Sequence, residues 1–274
     1  MIKRIGKMNI SNSSTIEIVM AIYKPNHYII EQLNSIINQT YYSRISRIII
    51  VNDSPTIDDT IYQKIISFEK VDYFVNESGF HGAKNNFSHG LSLTKSEYVM
   101  LCDQDDVWLP RKIEATLNEA LLKDEGRPLL VCTDVRIVDD KLNLLQDSMF
   151  ALRSYPFDKL GVYRGKPLYR NISPGCTMLV NRALLDISLP IPAAALMHDW
   201  WLVSLASLKG NISILNVPTM LYRQHSNNAI GAGNLGERNN SLKSFVSRFV
   251  LFVRFKLLWT RQFAKVLLWC KNDN

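Results

Sequence analysis

EYVMLCDQDDVWLPRKI, residues 97–113, runs apolar from Tyr98 to Cys102, sets Asp103, Asp105 and Asp106 within four positions, and then turns basic. The apolar part is strand-length and uninterrupted, the pattern of a strand covered on both faces. A buried strand that ends abruptly in three mutually repelling carboxylates calls for a positive partner at its end. The same pattern repeats outward along the chain. IEIVMAIY (16–23) precedes HYIIEQLNSIINQ (27–39), in which Ile29, Ile30, Leu33, Ile36 and Ile37 mark one helical face. RIIIV (47–51), a helix near 58–68, VDYFV (71–75), a helix near 82–93, YVMLC (98–102), a helix near 110–123 and LLVCTDV (129–135) continue the alternation. Apolar strands alternating with helices predict an α/β fold with a mostly parallel sheet flanked by helices. CTMLV (176–180), ISIL (212–215) and TMLYRQH (219–225) are spaced less regularly and predict a second half of the same domain with an antiparallel element.

The chain has 274 residues, 47% of them hydrophobic, enough for one large core. Its net charge is +7, but residues 241–274 carry seven Lys or Arg against Asp273 alone, so six of the seven net charges belong to the tail. A nearly neutral body argues against a nucleic-acid-binding domain and for a basic tail with its own acidic partner. Four cysteines (Cys102, Cys132, Cys176, Cys270) stand far apart with no C-x-x-C, which signals neither a zinc site nor a disulfide framework and fits a reducing compartment. No stretch reads as a signal peptide or a bilayer span, so the sequence predicts a protein neither exported nor transmembrane.

In an open α/β sheet, ligands gather outside the carboxyl ends of the strands, where the strand order reverses. Tyr23, Asn52 with Asp53, and Asp103 to Asp106 each follow a predicted strand. The D-x-D spacing with oxygen donors suits a hard cation, Mg²⁺ or Mn²⁺, which would relieve the repulsion and hold phosphate oxygens. The competing role is structural: an Asp here could cap the helix that follows. GAGNLG (231–236) matches the dinucleotide fingerprint G-x-G-x-x-G but leads into ERNNS instead of an apolar helix face, which sets it aside.

Seven segments in order, MAIYKP (20–25), IIIVNDSPTID (48–58), NESGFHGAKNNF (76–87), LCDQDDVW (101–108), GCTMLVN (175–181), HDWW (198–201) and YRQHSNN (222–228), resemble family 2 glycosyltransferases with the GT-A fold. The DQDDVW and YRQH forms are most similar to bacterial rhamnosyltransferase-like members. The resemblance implies a nucleotide-binding GT-A domain over residues 15–230, preceded by an extension (1–14) and followed by a loop and tail (231–274). It implies that Ala21 and Tyr23 line the base and ribose pocket, Asp53 bonds the pyrimidine, and Lys84 helps hold the nucleotide. It places Asp103 at the ribose and metal, Asp105 as direct metal ligand, His225 at the metal or diphosphate, and Asp199 as catalytic base. Asn52, where many members carry Asp, and GAKNN (82–86), where an Arg is common, bear on which pyrimidine is preferred.

The chemistry implied is an inverting displacement, with a carboxylate activating a sugar hydroxyl opposite a metal-bound leaving group. The donor would be dTDP-rhamnose or a UDP-hexose, and the acceptor a saccharide on a lipid diphosphate in bacterial surface polysaccharide synthesis. By sequence alone Asp199 could equally cap the helix over WWLVSLASL, His198 could pack or cap, and Trp108 could be core. As a helix, residues 241–274 align Lys243, Arg254, Arg261 and Lys265 within roughly 20° of one line, opposite Phe245, Phe249, Phe252, Trp259, Phe263 and Leu267. That is a basic amphipathic helix suited to an anionic inner-leaflet surface, or to a protein surface. Two other functions share parts of this pattern: a sugar nucleotidyltransferase, which would need a Gly-rich basic loop where AIYKPN stands, and a non-enzymatic sugar-binding protein at the membrane, which would need neither Asp105 nor Asp199.

Overall fold

The computed structural model describes residues 14–153, 162–163 and 171–225, with positions 264, 265 and 268 in the tail. The extension over 1–14, apart from Ser14, and the tail helix read from the sequence, apart from those three positions, lie outside the described residues. In chain order the elements are β1 (Ile16–Ile22), α1 (Tyr28–Ile37), β2 (Ile45–Asn52), α2 (Asp59–Ile66), β3 (Val71–Val75), α3 (Ala83–Ser92), β4 (Tyr98–Asp103), β5 (Val107–Trp108) and α4 (Lys112–Lys123). There follow β6 (Leu129–Val138), β7 (Leu144–Gln146), α5 (Met149–Arg153), β8 (Val162–Tyr163), β9 (Met178–Asn181), α6 (Arg182–Ser188), α7 (His198–Lys209) and β10 (Asn211–Arg223).

One sheet has the order β3-β2-β1-β4-β9-β6-β10-β5. β3, β2, β1 and β4 run parallel, β9 is antiparallel to both β4 and β6, and β10 is parallel to β6. The apolar runs split with period two between the faces. Ile16, Ile18 and Met20 of β1 and Met100 and Cys102 of β4 pack under α1, α2 and α4, while Val19, Val99 and Leu101 pack under α3, α6 and α7. Covering both faces is what makes these strands uniformly apolar. Their exception, Glu17, is buried and held by Arg47 at 2.7 Å and by the backbone N–H groups of Lys95 and Ser96.

Two expectations change. ISIL and the TMLYR of TMLYRQH belong to a single strand, β10, which shifts register around Pro218 on its way along β6, while Gln224 and His225 lie just past its end. Pro218 has no N–H to give the ladder, so the strand bulges where the sequence suggests a break. The helix after the Asp cluster starts only at Lys112; Arg111 is its N-cap with no side-chain cap bond, and β5 lies between it and Asp106. No Asp of the cluster caps it.

Candidate active site

Strand register brings the predicted residues into one row. Ala21 of β1 lies opposite Asp103 of β4, and Ile22 lies opposite Asn52 of β2, at the edge where chain order reverses between β1 and β4. Tyr23, just past β1, is 53% exposed at this rim. Its backbone is tied in both directions to Gln104: Tyr23 N–H donates to Oε1 at 2.9 Å, and Gln104 Nε2 donates to Tyr23 O at 3.0 Å. The middle residue of D-Q-D thus splints the acidic loop to the neighbouring strand.

Asp53 is buried and organises the loop after β3. Its Oδ1 accepts from Asn76 Nδ2 at 3.1 Å and lies 2.7 Å from His81 Nδ1, while Oδ2 accepts the Gly82 N–H at 2.6 Å. Gly82 sits at φ 93°, a conformation that a side chain disfavours, so glycine is what lets this amide face the carboxylate. Three bonds leave acceptor capacity on Oδ2 for a ligand N–H. Asn52 is also buried, and its Oδ1 accepts the Ser54 N–H at 2.9 Å, closing the turn out of β2. Lys84, on the first turn of α3, donates Nζ–H to the carbonyls of Ala193 (2.9 Å) and Ala195 (3.0 Å) in the segment leading to α7. Burial lowers its pKa.

The acidic loop itself is under electrostatic tension. Asp106 is 1% exposed; its Oδ1 accepts the Arg223 N–H at 3.1 Å, and its Oδ2 is buried with no hydrogen-bond partner. Burial, followed by the charge of Asp105, pushes Asp103 up to about 7, and burial with repulsion from Asp105 and Asp103 pushes Asp106 well above the usual carboxylate range. Ligand atoms of Asp103, Asp106 and Cys176 all lie within 4.8 Å of one another. Asp105 Oδ2 lies 2.8 Å from His225 Nε2, and the His225 ring stacks on Tyr28 with centroids 5.7 Å apart. A buried Asp106 oxygen without a hydrogen-bond partner, beside Asp103, fits a divalent cation; the two carboxylates offer the oxygen donors that Mg²⁺ or Mn²⁺ takes, with the Cys176 sulfur alongside. Nearby Lys112 is fully buried, with Nζ 3.4 Å from Thr219 Oγ1 and 5.0 Å from the centroid of the core Trp108 ring, and burial pushes its pKa down to about 8.

Asp199 lies in the first turn of α7, 7% exposed. The helix begins one residue earlier, with Met197 as an N-cap that makes no side-chain bond, so Asp199 is not the cap. Its Oδ2 accepts from Asn171 Nδ2 at 2.6 Å and its Oδ1 from the Trp200 N–H at 2.7 Å, and its charge is the smallest of the causes that raise the Asp103 pKa. His198 is buried, stacked on Phe87 with centroids 4.0 Å apart, and burial lowers its pKa. A Cβ at Gly175 would sit 2.5 Å from His198 Nε2, so this close approach requires glycine. Gln104, Asn76, His81, Asn171, Cys176 and Arg223 escape sequence reasoning, because each matters through a long-range contact that leaves no local pattern.

A mixed sheet whose first four strands run parallel, with a cluster of carboxylates at its switch point, is the frame of a GT-A nucleotide-sugar enzyme. The structure is similar to TarS of S. aureus in complex with UDP-GlcNAc, with a TM-score of 0.57 at 18% identity, covering 81% of this chain and 62% of that one. Residues 17–187 match the family model for Glycosyl transferase family 2, and the chain belongs to that family. It is 28% identical over 239 residues to the dTDP-rhamnosyl transferase RfbG of Shigella flexneri, covering 78% of this chain and 74% of that protein. It is 24% identical to an Escherichia coli protein, UDP-Glc:alpha-D-GlcNAc-diphosphoundecaprenol beta-1,3-glucosyltransferase WfgD, covering 73% of each. An uncharacterized glycosyltransferase of Rickettsia typhi is 30% identical over 69% of this chain, which spans 57% of that relative and only 26% of those from Rickettsia conorii and Rickettsia felis.

Proposed function

We propose that this glycosyltransferase moves a sugar, with inversion, from a pyrimidine nucleoside diphosphate to a saccharide hydroxyl, and that it uses Mg²⁺ or Mn²⁺. The observation that carries this reading is the acidic loop at the end of β4, where ligand atoms of Asp103, Asp106 and Cys176 lie within 4.8 Å of one another, Asp103 and Asp106 have raised pKa values, and Asp106 Oδ2 is buried without a hydrogen-bond partner. Asp103, Asp105 and Asp106, with His225 beside Asp105, would hold the cation. Bound there, a divalent ion would offset the charge of a departing nucleoside diphosphate. Asp53 offers an acceptor to the N3–H of uracil or thymine, with Ala21 and Tyr23 at the same rim and Lys84 near the diphosphate. Asp199 would take the proton of the attacking hydroxyl, oriented for it by Asn171. The catalytic unit would run from 15 to 230.

The likeness to RfbG and WfgD supports dTDP-rhamnose or a UDP-hexose as donor and an acceptor on a lipid diphosphate, hence work on surface polysaccharide at the inner face of a bacterial membrane. Among the described residues no helix is long and apolar enough to cross a membrane. The basic tail would supply peripheral attachment. A screen of nucleotide sugars for Mn²⁺-dependent thermal stabilisation, followed by product analysis, tests this: release of nucleoside diphosphate supports transfer, release of pyrophosphate marks a nucleotidyltransferase, and binding without turnover or metal dependence marks a sugar-binding protein.

A further inference from the structure

We infer that Arg223 is a positioning residue: it fixes the acidic loop and His225 for the cation while committing its own charge elsewhere. Arg223 ends β10 and is 1% exposed. Its Nε donates to the backbone carbonyl of Asp105 at 2.8 Å, Nη1 to the carbonyl of Asp140 at 2.6 Å, and Nη2 to Glu31 Oε2 at 2.5 Å. Its backbone N–H meets Asp106 Oδ1 at 3.1 Å, and its guanidinium lies over the Tyr28 ring, 4.1 Å from the centroid. Tyr28 in turn carries the stacked His225 ring, whose Nε2 meets Asp105 Oδ2. One buried side chain therefore sets Asp105 through its carbonyl and His225 through an aromatic ring, while its main chain sets Asp106.

The choice of partners gives the arrangement its sense. A buried guanidinium paired face-on with Asp105 or Asp106 would occupy the carboxylate oxygens that a cation needs. Instead Arg223 takes Glu31 as its counter-ion and holds the loop through the Asp105 carbonyl, leaving the side-chain oxygens of Asp105 clear of its guanidinium. Arginine's planar fork suits this, because it can reach three oxygens in fixed directions and still present a face to an aromatic ring. Lysine, a point charge on a flexible stem, cannot hold all of them at once. The role is distinct from that of the ligands: Arg223 would act on how well a cation is held, with no contact to the reacting atoms.

This rests on the metal-dependent reading above, and the test separates the two. Mn²⁺ affinity in the presence of UDP would be measured by electron paramagnetic resonance on the full chain and on Arg223→Lys, with UDP affinity in EDTA and circular dichroism alongside. The expected result is a tenfold or greater loss of Mn²⁺ affinity with UDP binding in EDTA unchanged. Because a buried Arg can be needed for folding, Tyr28→Leu, on the partly exposed start of α1, is the second variant; it removes the ring between Arg223 and His225 and should weaken Mn²⁺ severalfold. If the intact protein holds Mn²⁺ with UDP and both variants hold it equally well, the assignment of Arg223 falls while the metal reading stands. If the intact protein shows no Mn²⁺ binding with UDP, both fall.

Discussion

Asn171 donates its side-chain amide to Asp199 Oδ2 at 2.6 Å, across 28 residues of chain. With the Trp200 N–H on Oδ1, the bond leaves the carboxylate oriented yet still able to accept another proton donor. Asp199→Asn should therefore lower kcat by about 10²-fold or more with donor affinity nearly unchanged, the usual scale for a lost general base. Asn171→Ala should cost about tenfold in kcat by freeing the carboxylate. Steady-state kinetics beside direct donor binding would check both, and an equal loss of donor affinity in Asp199→Asn would show a structural residue instead.

Asp105→Ala should abolish turnover and most Mn²⁺-dependent nucleotide binding, because the cation would lose a ligand and His225 its bond to Asp105. Full activity in this variant would remove the metal assignment. The raised pKa of Asp103, about 7 against the ordinary 3.8, adds a pH signature. Without metal, the folded protein retains a proton that the unfolded chain has shed between pH 4 and 7, so this group's contribution to stability falls as pH rises through that window. The Mn²⁺-induced rise in Tm should accordingly grow from pH 5.5 to pH 8, and Asp103→Asn should flatten that dependence.

Lys112 gives a signature of opposite sign. Burial depresses its pKa from 10.5 to about 8, so between those values the unfolded chain binds a proton that the folded protein does not, and stability should rise with pH across that window. At 1.36 kcal/mol per unit this is on the order of 3 kcal/mol. Lys112→Met keeps the stem in the core and removes the charge, so it should raise Tm at pH 7 and abolish the rise above pH 8. Thermal melts at pH 7, 8.5 and 10 measure it; a lower Tm at pH 7 in the variant would mean that the ammonium compensates the acidic loop more than its own desolvation costs.

A chain ending at residue 240 should remain folded and still transfer or slowly hydrolyse a sugar nucleotide, since the sheet and crevice lie upstream. Its binding to anionic vesicles should fall sharply, because the tail holds six of the seven net charges and each basic residue near the surface contributes about 1 kcal/mol. Charge reversal at Arg254, Arg261 and Lys265 should reproduce the loss. Co-sedimentation across anionic lipid contents, with melting curves, decides it: unfolding on truncation, together with negligible vesicle binding by the intact protein, would make the aromatic face a core or dimer surface.

The sequence by itself determined the layered α/β architecture, because strands covered on both faces must be apolar throughout, and runs such as IEIVMAI and YVMLC admit few other homes. It also determined that Asp53 and the D-Q-D-D loop each end a strand, since a polar cluster directly after a buried run can only stand at the sheet's rim; that β1 lies between those two strands was decided by the fold. Tertiary structure alone decided how those groups are held. Arg223 reaches Asp105 across 118 residues, Gln104 meets Tyr23 across 81, and Lys84 meets Ala195 across 111. It also decided that β10 passes Pro218 as a bulge and that Asp199 lies inside α7 instead of capping it. Hydrophobic burial repeats with the period of the backbone and so is written locally, whereas a hydrogen bond between distant side chains has no period and exists only once the chain has folded.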